Sequence, residues 1–264
     1  PLDSHKGDFG SVGVIGGAPG MAGAALLAAR AALWLGAGRV YVGLLDNRIA
    51  VDPNAAELMI VPPERALQLE KPACLVVGPG LGHSGTGRQC LLDALQGPLP
   101  LLIDADGLNL LAKDVELQAL LWQRQTPTLL TPHPGEAGRL LGLDSQAVQA
   151  DRLRAVRQLV EAYGCLALLK GAGSLITGPN GPIWSNTTGN PGLASAGMGD
   201  VLAGMIGALV AQGLGLEQAA IYAVHLHGAV ADRLVAEGSG PVGLTATEMA
   251  RAARDLLNAW VKTA

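Results

Sequence analysis

The most informative stretch of this sequence reads GNPGLASAGMGDVLAG and covers residues 189–204. It is a glycine-rich turn followed by an apolar helix, and Asp200 is predicted as the last residue before that helix. Glycines let backbone N–H groups surround an anion without Cβ clashes, and a helix N-terminus adds unpaired donors and a favourable dipole. Asp200 therefore places an anion where an anion is expected to bind, and it is interpreted equally well as a helix N-cap or as a catalytic base.

The composition describes a globular chain. Its 264 residues are 49% hydrophobic and 15% charged, which is enough to bury a large core. The formal net charge is -4 and no basic stripe is present, so nucleic acid is not expected as a partner. No signal peptide or membrane-spanning segment is recognised, so no membrane partner is expected and a cytoplasmic location is predicted.

The sequence contains no metal-binding pattern. The three cysteines are isolated within apolar runs and are predicted to be buried, reduced thiols, which suits the cytoplasm: Cys74, Cys90 and Cys165. His225 and His227 are two residues apart on a predicted helix, so their side chains diverge and make a poor metal pair. Both histidines are interpreted as structural.

Short apolar runs alternate with helical stretches through most of the sequence. The apolar runs are nearly continuous, which is typical of strands covered on both faces in a parallel sheet. Strands are predicted at 11–16, 40–45, 58–61, 75–78, 99–104, 128–131 and 166–169. Helices are predicted between them at 21–35, 86–96, 107–113, 135–141 and 146–163.

A hairpin and a helical segment complete the chain. Residues 174–187 hold two strand-like runs around an Asn-Gly turn, which is a strong hairpin signal. Further helices are predicted at 200–213, 217–236 and 246–261. Because no linker, repeat or charge block divides the sequence, we predict one domain over residues 1–264. Its fold class is α/β, with a mostly parallel central sheet between helices.

Six glycine-bearing segments with polar tips are expected to lie together at the carboxyl ends of the parallel strands, an edge of the sheet called the rim below. In an open parallel sheet, ligands bind beyond the carboxyl ends of the strands. The segments are 16–24, 78–82, 104–109, 131–136, 170–174 and 189–200.

Each segment also has a purely structural interpretation. Residues 16–20 lack the spacing of a dinucleotide fingerprint, and Lys170 precedes its glycines, so no Walker A loop is present. Asp104 and Asp106 are consistent with caps of the short helix that follows them. His133 lies between two prolines that restrict the backbone, and both a structural and a functional role are open.

In combination, these segments resemble the ADP- or ATP-dependent NAD(P)H-hydrate dehydratases of the ribokinase-like superfamily. The resemblance rests on 5–10, 16–32, 57–59, 78–82, 104–109, 131–136, 170–174 and 189–204, and so covers nearly the whole chain. It implies a ribokinase-like three-layer sandwich. It also implies a hydro-lyase that uses ADP, or alternatively ATP, to convert the S epimer of hydrated NADH or NADPH back to NAD(P)H by phosphorylating the ring hydroxyl.

The resemblance also implies roles for individual residues. Asp200 would be the catalytic base, and the backbone of Gly197 and Gly199 would stabilise the transferring phosphoryl group. The hydrated cofactor would contact Ala24, Gly82, His133 and Asp200. The nucleotide would be held by Lys170, Gly171, Ala172, Gly173, Ser174 and Gly199. Mg²⁺ is expected to accompany the nucleotide without a dedicated protein site, with Asp104, Asp106 and Glu136 as candidate water-mediated ligands.

Alternatives to this interpretation are a kinase of a small alcohol, vitamin precursor or sugar, and a nucleotide sensor without turnover. Relatives form oligomers, often tetramers, so a homo-oligomer is expected, with the apolar C-terminal helices as a candidate interface. Many bacterial relatives carry this unit behind an epimerase domain. Since the chain begins at Pro1, we expect it to be the dehydratase half of such a bifunctional protein.

Overall fold

The computed structural model describes residues 7–263; His5 and Lys6, part of the first matching stretch, lie outside them. Nine strands form one sheet in the order β3-β2-β1-β4-β5-β6-β7-β8-β9. The strands are β1 (Ser11–Gly16), β2 (Arg39–Leu44), β3 (Met59–Val61), β4 (Ala73–Val77), β5 (Leu101–Ile103), β6 (Thr128–Leu130), β7 (Leu166–Leu169), β8 (Leu175–Thr177) and β9 (Trp184–Ser185).

The first seven strands are parallel, and the last two are added antiparallel at one edge. In the centre of the sheet, Val14 of β1 pairs with Val42 of β2 and Val76 of β4. Parallel pairing continues through β5, β6 and β7, whereas β7–β8 and β8–β9 are antiparallel. The predicted hairpin is therefore confirmed, and seven strands end at the same edge of the sheet.

Helices cover both faces. They are α1 (Ala22–Trp34), α2 (Pro63–Ala66), α3 (Gly85–Gln96), α4 (Asp106–Leu111), α5 (Val115–Gln123), α6 (Pro134–Leu141), α7 (Ser145–Ala150), α8 (Arg152–Tyr163), α9 (Met198–Ala211), α10 (Leu216–Ala236) and α11 (Ala246–Thr263). No helix within residues 7–263 combines the length and apolar character needed to cross a membrane.

Two hydrophobic clusters lie on opposite sides of the sheet. Successive residues of a strand point to opposite faces, so Cys74 and Val76 join the cluster with α1, α9, α10 and α11. Leu75 and Val77 join the other cluster, with α3 to α6 and α8. This arrangement confirms the predicted mostly parallel sheet between two helical layers.

Several boundaries differ from the predictions. The short helices α2 and α5 were not predicted. The predicted helix over 146–163 is two helices, because Asp151 adopts a non-helical conformation and its carboxylate accepts the N–H of Arg154 as the cap of α8. The predicted helix start at Asp200 is also wrong, since α9 begins at Met198 and places Asp200 in its first turn.

Candidate active site

The turns after β1 and β4 interlock at the rim. Gly17 N donates to Pro79 O at 3.0 Å, and Ala18 N donates to Gly80 O at 2.6 Å. A Cβ on Gly16 would lie only 2.0 Å from Pro79 O, so this close approach requires glycine.

Two predicted substrate contacts lie at these interlocked turns. Ala24 is in the first turn of α1, and a Cβ on Gly80 would lie 3.3 Å from its Cβ. A Cβ on Gly82 would lie 3.4 Å from the Cβ of Ala18. Ala24 and Gly82 therefore lie on the same part of the rim.

Asp104 connects the turn after β4 to Lys170, which follows β7. Its carbonyl would be 1.8 Å from a Cβ on Gly78, and its buried carboxylate accepts a hydrogen bond from Lys170 Nζ at 2.7 Å. The cap interpretation is therefore wrong for Asp104, because the N-cap position of α4 belongs to Ala105 and no side chain caps the helix. Asp106 is in the first turn of α4 and accepts the N–H of Gly82 at 2.9 Å.

His133 has a structural role at this rim. Its Nδ1 accepts the N–H groups of Gly135 at 3.0 Å and Glu136 at 3.3 Å, while Glu136 accepts the N–H of His133 at 2.8 Å. This reciprocal capping box starts α6. Burial, with Lys170 and Arg139 nearby, lowers the pKa of His133, so the imidazole is neutral at pH 7. The side chain is 51% exposed, which leaves its outer edge open to a ligand.

Lys170 is the central cation of the site. Besides the bond to Asp104, its Nζ lies 3.9 Å from Glu136 Oε2. Burial acts to lower the pKa of Lys170, but Asp104, Glu136 and Asp200 outweigh it, so the pKa is raised and the ammonium group stays charged. Burial in turn raises the pKa of Glu136.

The loop after Lys170 is held by an arginine that sequence reasoning did not identify. Arg152 of α8 donates to the carbonyl oxygens of Leu169 at 3.2 Å, Lys170 at 3.3 Å and Gly173 at 3.3 Å. Ser174 Oγ closes the loop by donating to Gly171 O at 3.0 Å.

Asp200 faces the site from the first turn of α9. The N-cap of this helix is Gly197, with φ +86°, and a Cβ there would lie 2.6 Å from Leu27 Cδ1. The N-cap interpretation of Asp200 is therefore wrong. No described residue forms a hydrogen bond or ion pair with its carboxylate.

The surroundings of Asp200 suit a general base. Burial and then the Asp104 carboxylate, together with Asp106 and Glu136, raise the pKa of Asp200 to about 7, and Lys170 opposes them. Its neighbour Gly199 lies against the same ammonium group, since a Cβ on Gly199 would be 3.4 Å from Lys170 Nζ. A base, a cation and the N–H groups of a helix start thus meet at one place, which can bind and transfer an anionic group.

The contacts above confirm that the glycine-bearing segments share one rim. A cavity of about 790 Å³ opens beside Lys170 and Gly199. It is lined by the loop after β7, the segment after β9 and the start of α9, with His227 of α10: Lys170, Gly171, Ala172, Gly173, Ser174, Asn186, Thr187, Thr188, Gly189, Asn190, Pro191, Leu193, Ala194, Met198, Gly199, Leu202 and His227. All five residues of 170–174 lie here, as does Gly199.

The segment after β9 runs from Asn186 into the predicted segment 189–200, and only its residues 186–188 were missed as part of the site. It is fixed to α10, because Asp232 accepts Gly189 N at 2.8 Å and Asn190 Nδ2 at 2.9 Å. Its polar composition, Asn-Thr-Thr-Gly-Asn over 186–190, is the sequence feature that could have identified it.

Within residues 7–263, no group of three or more His, Cys, Asp or Glu side chains is arranged to hold a metal. The cysteines are unpaired; Cys74 and Cys90 are buried as predicted, whereas Cys165 is partly buried. His225 and His227 diverge as predicted: His225 is exposed and stacks on Trp260, and His227 is buried at the cavity.

Residues 12–254 match the family model described as NAD(P)H-hydrate dehydratase. The ADP-dependent (S)-NAD(P)H-hydrate dehydratase of Neisseria meningitidis is 42% identical over 99% of this chain and 89% of the relative. The bifunctional NAD(P)H-hydrate repair enzyme Nnr of Coxiella burnetii is also 42% identical, over 97% of this chain, which spans 52% of that protein.

The chain is also similar to proteins of known structure. The ADP/ATP-dependent NAD(P)H-hydrate dehydratase of Bacillus subtilis, co-crystallised with ATP/Mg²⁺, has a TM-score of 0.87 and 30% identity, covering 98% of this chain and 93% of its own. A ribokinase-like superfamily protein of Enterococcus faecalis has a TM-score of 0.81 and 27% identity, covering 98% of this chain and 90% of its own. The predicted ribokinase-like α/β fold is confirmed.

Proposed function

The chain belongs to the NAD(P)H-hydrate dehydratase family, and we propose that it is a hydro-lyase that uses ADP, or alternatively ATP, to return hydrated NADH or NADPH (the S epimer) to NAD(P)H. The observation that carries the proposal is the position of Asp200. This carboxylate, with a pKa raised to about 7, lies beside a helix start and a charged lysine, which together form an anion site.

The chemistry requires activation of a poor leaving group. Asp200 accepts the proton of the ring hydroxyl while the hydroxyl oxygen attacks the terminal phosphorus of the nucleotide. When ADP is the donor, AMP is the leaving group. The phosphorylated hydroxyl then leaves as phosphate with the C–O electron pair. The neighbouring ring carbon then gives its proton to water, and the electron pair of that C–H bond restores the double bond.

Asp200 is suited to this step because its pKa lies near the working pH. An ordinary aspartate would be ionised but a weak base, whereas a pKa of about 7 gives a stronger base that is still half ionised at neutral pH. The N–H groups at the start of α9, including Gly197 and Gly199, would receive the negative charge of the transferring group.

The two substrates would approach from different parts of the rim. The nucleotide fits the cavity of about 790 Å³ beside Lys170–Ser174 and Gly199, whose cation and amides suit its phosphates. The hydrated ring would lie against the interlocked turns with Ala24 and Gly82, and against the exposed edge of His133. Asp200 lies between these two groups of residues.

Mg²⁺ fits this site as a partner of the nucleotide. The carboxylates of Asp104, Asp106 and Glu136 all lie close enough to act electrostatically on Asp200, and carboxylate oxygens are ligands that Mg²⁺ prefers. Asp104, Asp106 and Glu136 would hold the ion through water. The ion would neutralise phosphate charge.

The proposal extends to the whole protein. We propose that residues 1–264 form one domain, that the protein is cytoplasmic, and that it assembles as a homo-oligomer, a tetramer by resemblance. Relatives named bifunctional repair enzymes are about twice as long as this chain, so a fused epimerase domain is included in the proposal.

The test is a repair assay. The purified chain is incubated with hydrated NADH, Mg²⁺ and either ADP or ATP, and absorbance is followed at about 340 nm, where the reduced nicotinamide ring absorbs. We expect the absorbance to recover in a nucleotide-dependent way, with ADP as the better donor, and inorganic phosphate to accumulate in equal amount.

Two results would contradict the proposal. One is nucleotide binding without any recovery of absorbance. The other is formation of a stable phosphorylated alcohol from a small alcohol, which would indicate a kinase instead. The same assay on hydrated NADPH defines the cofactor preference.

A further inference from the structure

His227 is a buried polar side chain that no described residue satisfies. It is 6% exposed, and its Nε2 atom is buried without a hydrogen-bond partner among residues 7–263. Buried polar groups in native proteins are nearly always paired, because an unpaired one loses its hydration without compensation. His227 is therefore not a satisfied core histidine, and its unpaired state needs an explanation.

The cavity beside His227 explains why its nitrogen has no partner within the protein. His227 of α10 lines the same cavity as the loop 170–174 and Gly199. A ligand in this cavity would lie against His227; its Nε2 is enclosed by protein in the present ring orientation, and a half-turn of the ring exchanges the two nitrogens. Either nitrogen can therefore face the ligand.

The imidazole is suited to an uncharged part of the ligand. Burial lowers the pKa of His227 to about 4, so the ring is neutral at pH 7 and offers one donor and one acceptor. A phosphate is served better by the charged Lys170 and by the amides at the start of α9. His227 is thus left for a portion of the ligand that carries no charge.

The residues that share this lining favour a flat apolar group. Leu193, Met198 and Leu202 line the same cavity, and Pro191 adds a further apolar surface. A nucleobase has apolar faces that pack on such side chains and a polar edge that requires one or two hydrogen bonds. A sugar, with hydroxyls all around, fits less well.

We propose that His227 hydrogen-bonds the edge of the nucleobase of the co-substrate and so contributes to selection of the nucleotide. This inference rests on the proposed function, because it takes the ligand of the cavity to be ADP or ATP. It assigns His227 a binding role that the residues of the glycine-rich segments do not share.

Calorimetric titration tests the contact. His227→Phe keeps a flat ring of similar size but removes both nitrogens, and we expect it to weaken ADP binding about 5- to 30-fold. Binding of inorganic pyrophosphate, which has no base, is expected to be unchanged. His227→Gln keeps a donor and an acceptor and is expected to retain more of the affinity for ADP than His227→Phe.

The matched control is His225→Phe on the same helix. His225 is exposed, stacks on Trp260 and does not line the cavity, so this variant is expected to bind ADP like the wild type. The nucleotide-free His227→Phe protein is expected to unfold at the same or a higher temperature than the wild type, since it no longer buries an unpaired nitrogen. A loss of affinity with no loss of stability distinguishes a ligand contact from a structural one.

Other outcomes would overturn the inference. ADP binding within twofold of wild type in His227→Phe would exclude the contact, as would an equal loss for ADP and pyrophosphate. If the loss disappears with 2′,3′-dideoxy-ADP, the contact is to the ribose instead. Failure of the wild type to bind any nucleotide would overturn this inference together with the proposed function, whereas nucleotide selection by His227 without repair of hydrated NADH would overturn only the latter.

Discussion

Asp200 lies among three other carboxylates and one ammonium group, and these charges set the pKa of Asp200 and so the pH range in which it can accept a proton. Burial is the largest contribution to its raised pKa, followed by Asp104, while Lys170 limits the rise. The sequence could place Asp200 on the glycine-rich turn. It could not predict this electrostatic environment, because Asp104, Glu136 and Lys170 come from three distant segments of the chain.

The pH dependence of turnover follows from this environment. Asp200 must be ionised to accept a proton, so kcat/KM is expected to fall about tenfold per pH unit as the pH drops below about 7. Asp200→Asn is expected to lower kcat about 10²- to 10⁴-fold while leaving ADP binding largely unchanged. Steady-state rates from pH 5.5 to 9 and calorimetry with ADP provide the measurements. Unchanged turnover in Asp200→Asn would refute the role given to this residue.

At the level of elements, the loop after β7 depends on a helix that contributes no residue to the cavity lining. Arg152 of α8 donates to the carbonyl oxygens of Leu169, Lys170 and Gly173, and a Cβ on Gly171 would lie 2.8 Å from its Nη1. This loop presents Lys170–Ser174 to the cavity. Arg152 is therefore a positioning residue for the proposed nucleotide site.

Removal of the Arg152 guanidinium group is expected to weaken nucleotide binding. Arg152→Met should raise the KM for ADP about 3- to 10-fold with a smaller effect on kcat, because the interaction supports binding rather than the chemical step. Arg152→Lys should recover little, since an ammonium group lacks the planar set of donors that reaches several carbonyls. Arg154→Met, at an exposed position of the same helix, is the control. Equal KM values for Arg152→Met and Arg154→Met would contradict the positioning role.

Helices α1 and α9 pack at a glycine, and this contact fixes the helix that carries Asp200. A Cβ on Gly204 would lie 1.9 Å from Ala28 O, so Gly204→Ala forces the two helices apart. We expect a loss of about 1–3 kcal/mol in the free energy of unfolding, measured by urea denaturation. Gly23→Ala in α1 meets no atom within 4 Å and is expected to be neutral or slightly stabilising. A neutral Gly204→Ala would show that the contact can relax.

For the whole molecule, the sequence predicted the sheet far better than the helix boundaries. Buried parallel strands are nearly continuous apolar runs, and all seven parallel strands lie within or close to the predicted ranges. Helix α5 was not predicted because its apolar residues Val115 and Trp122 are exposed, so its sequence lacks a clear amphipathic pattern. Helix α2 was not predicted because it is only four residues long. The shared rim was predictable from topology. His227 was not, because its burial at the cavity depends on how α10 packs against the segment after β9.

The same carboxylate cluster is expected to affect the stability of the whole fold. The pKa of Asp200 is raised from 3.8 to about 7 in the folded state, so the folded protein binds more protons than the unfolded chain between these values. The contribution of Asp200 to the free energy of unfolding is therefore favourable at pH 4 and is lost as the pH rises through 7. An asparagine side chain at this position does not titrate and carries no such dependence.

Asp200→Asn is therefore expected to unfold like the wild type near pH 4 and to be more stable by about 1–3 kcal/mol at pH 8, a range reduced for the partial exposure of the carboxylate. Comparing the variant with the wild type isolates this contribution, because His227, with a pKa lowered to about 4, imposes the opposite slope on both proteins. Thermal unfolding of the nucleotide-free proteins from pH 4.5 to 8 measures the difference. A constant difference over this range would mean that Asp200 is not the group that titrates near pH 7, and the catalytic pH profile would then need another base.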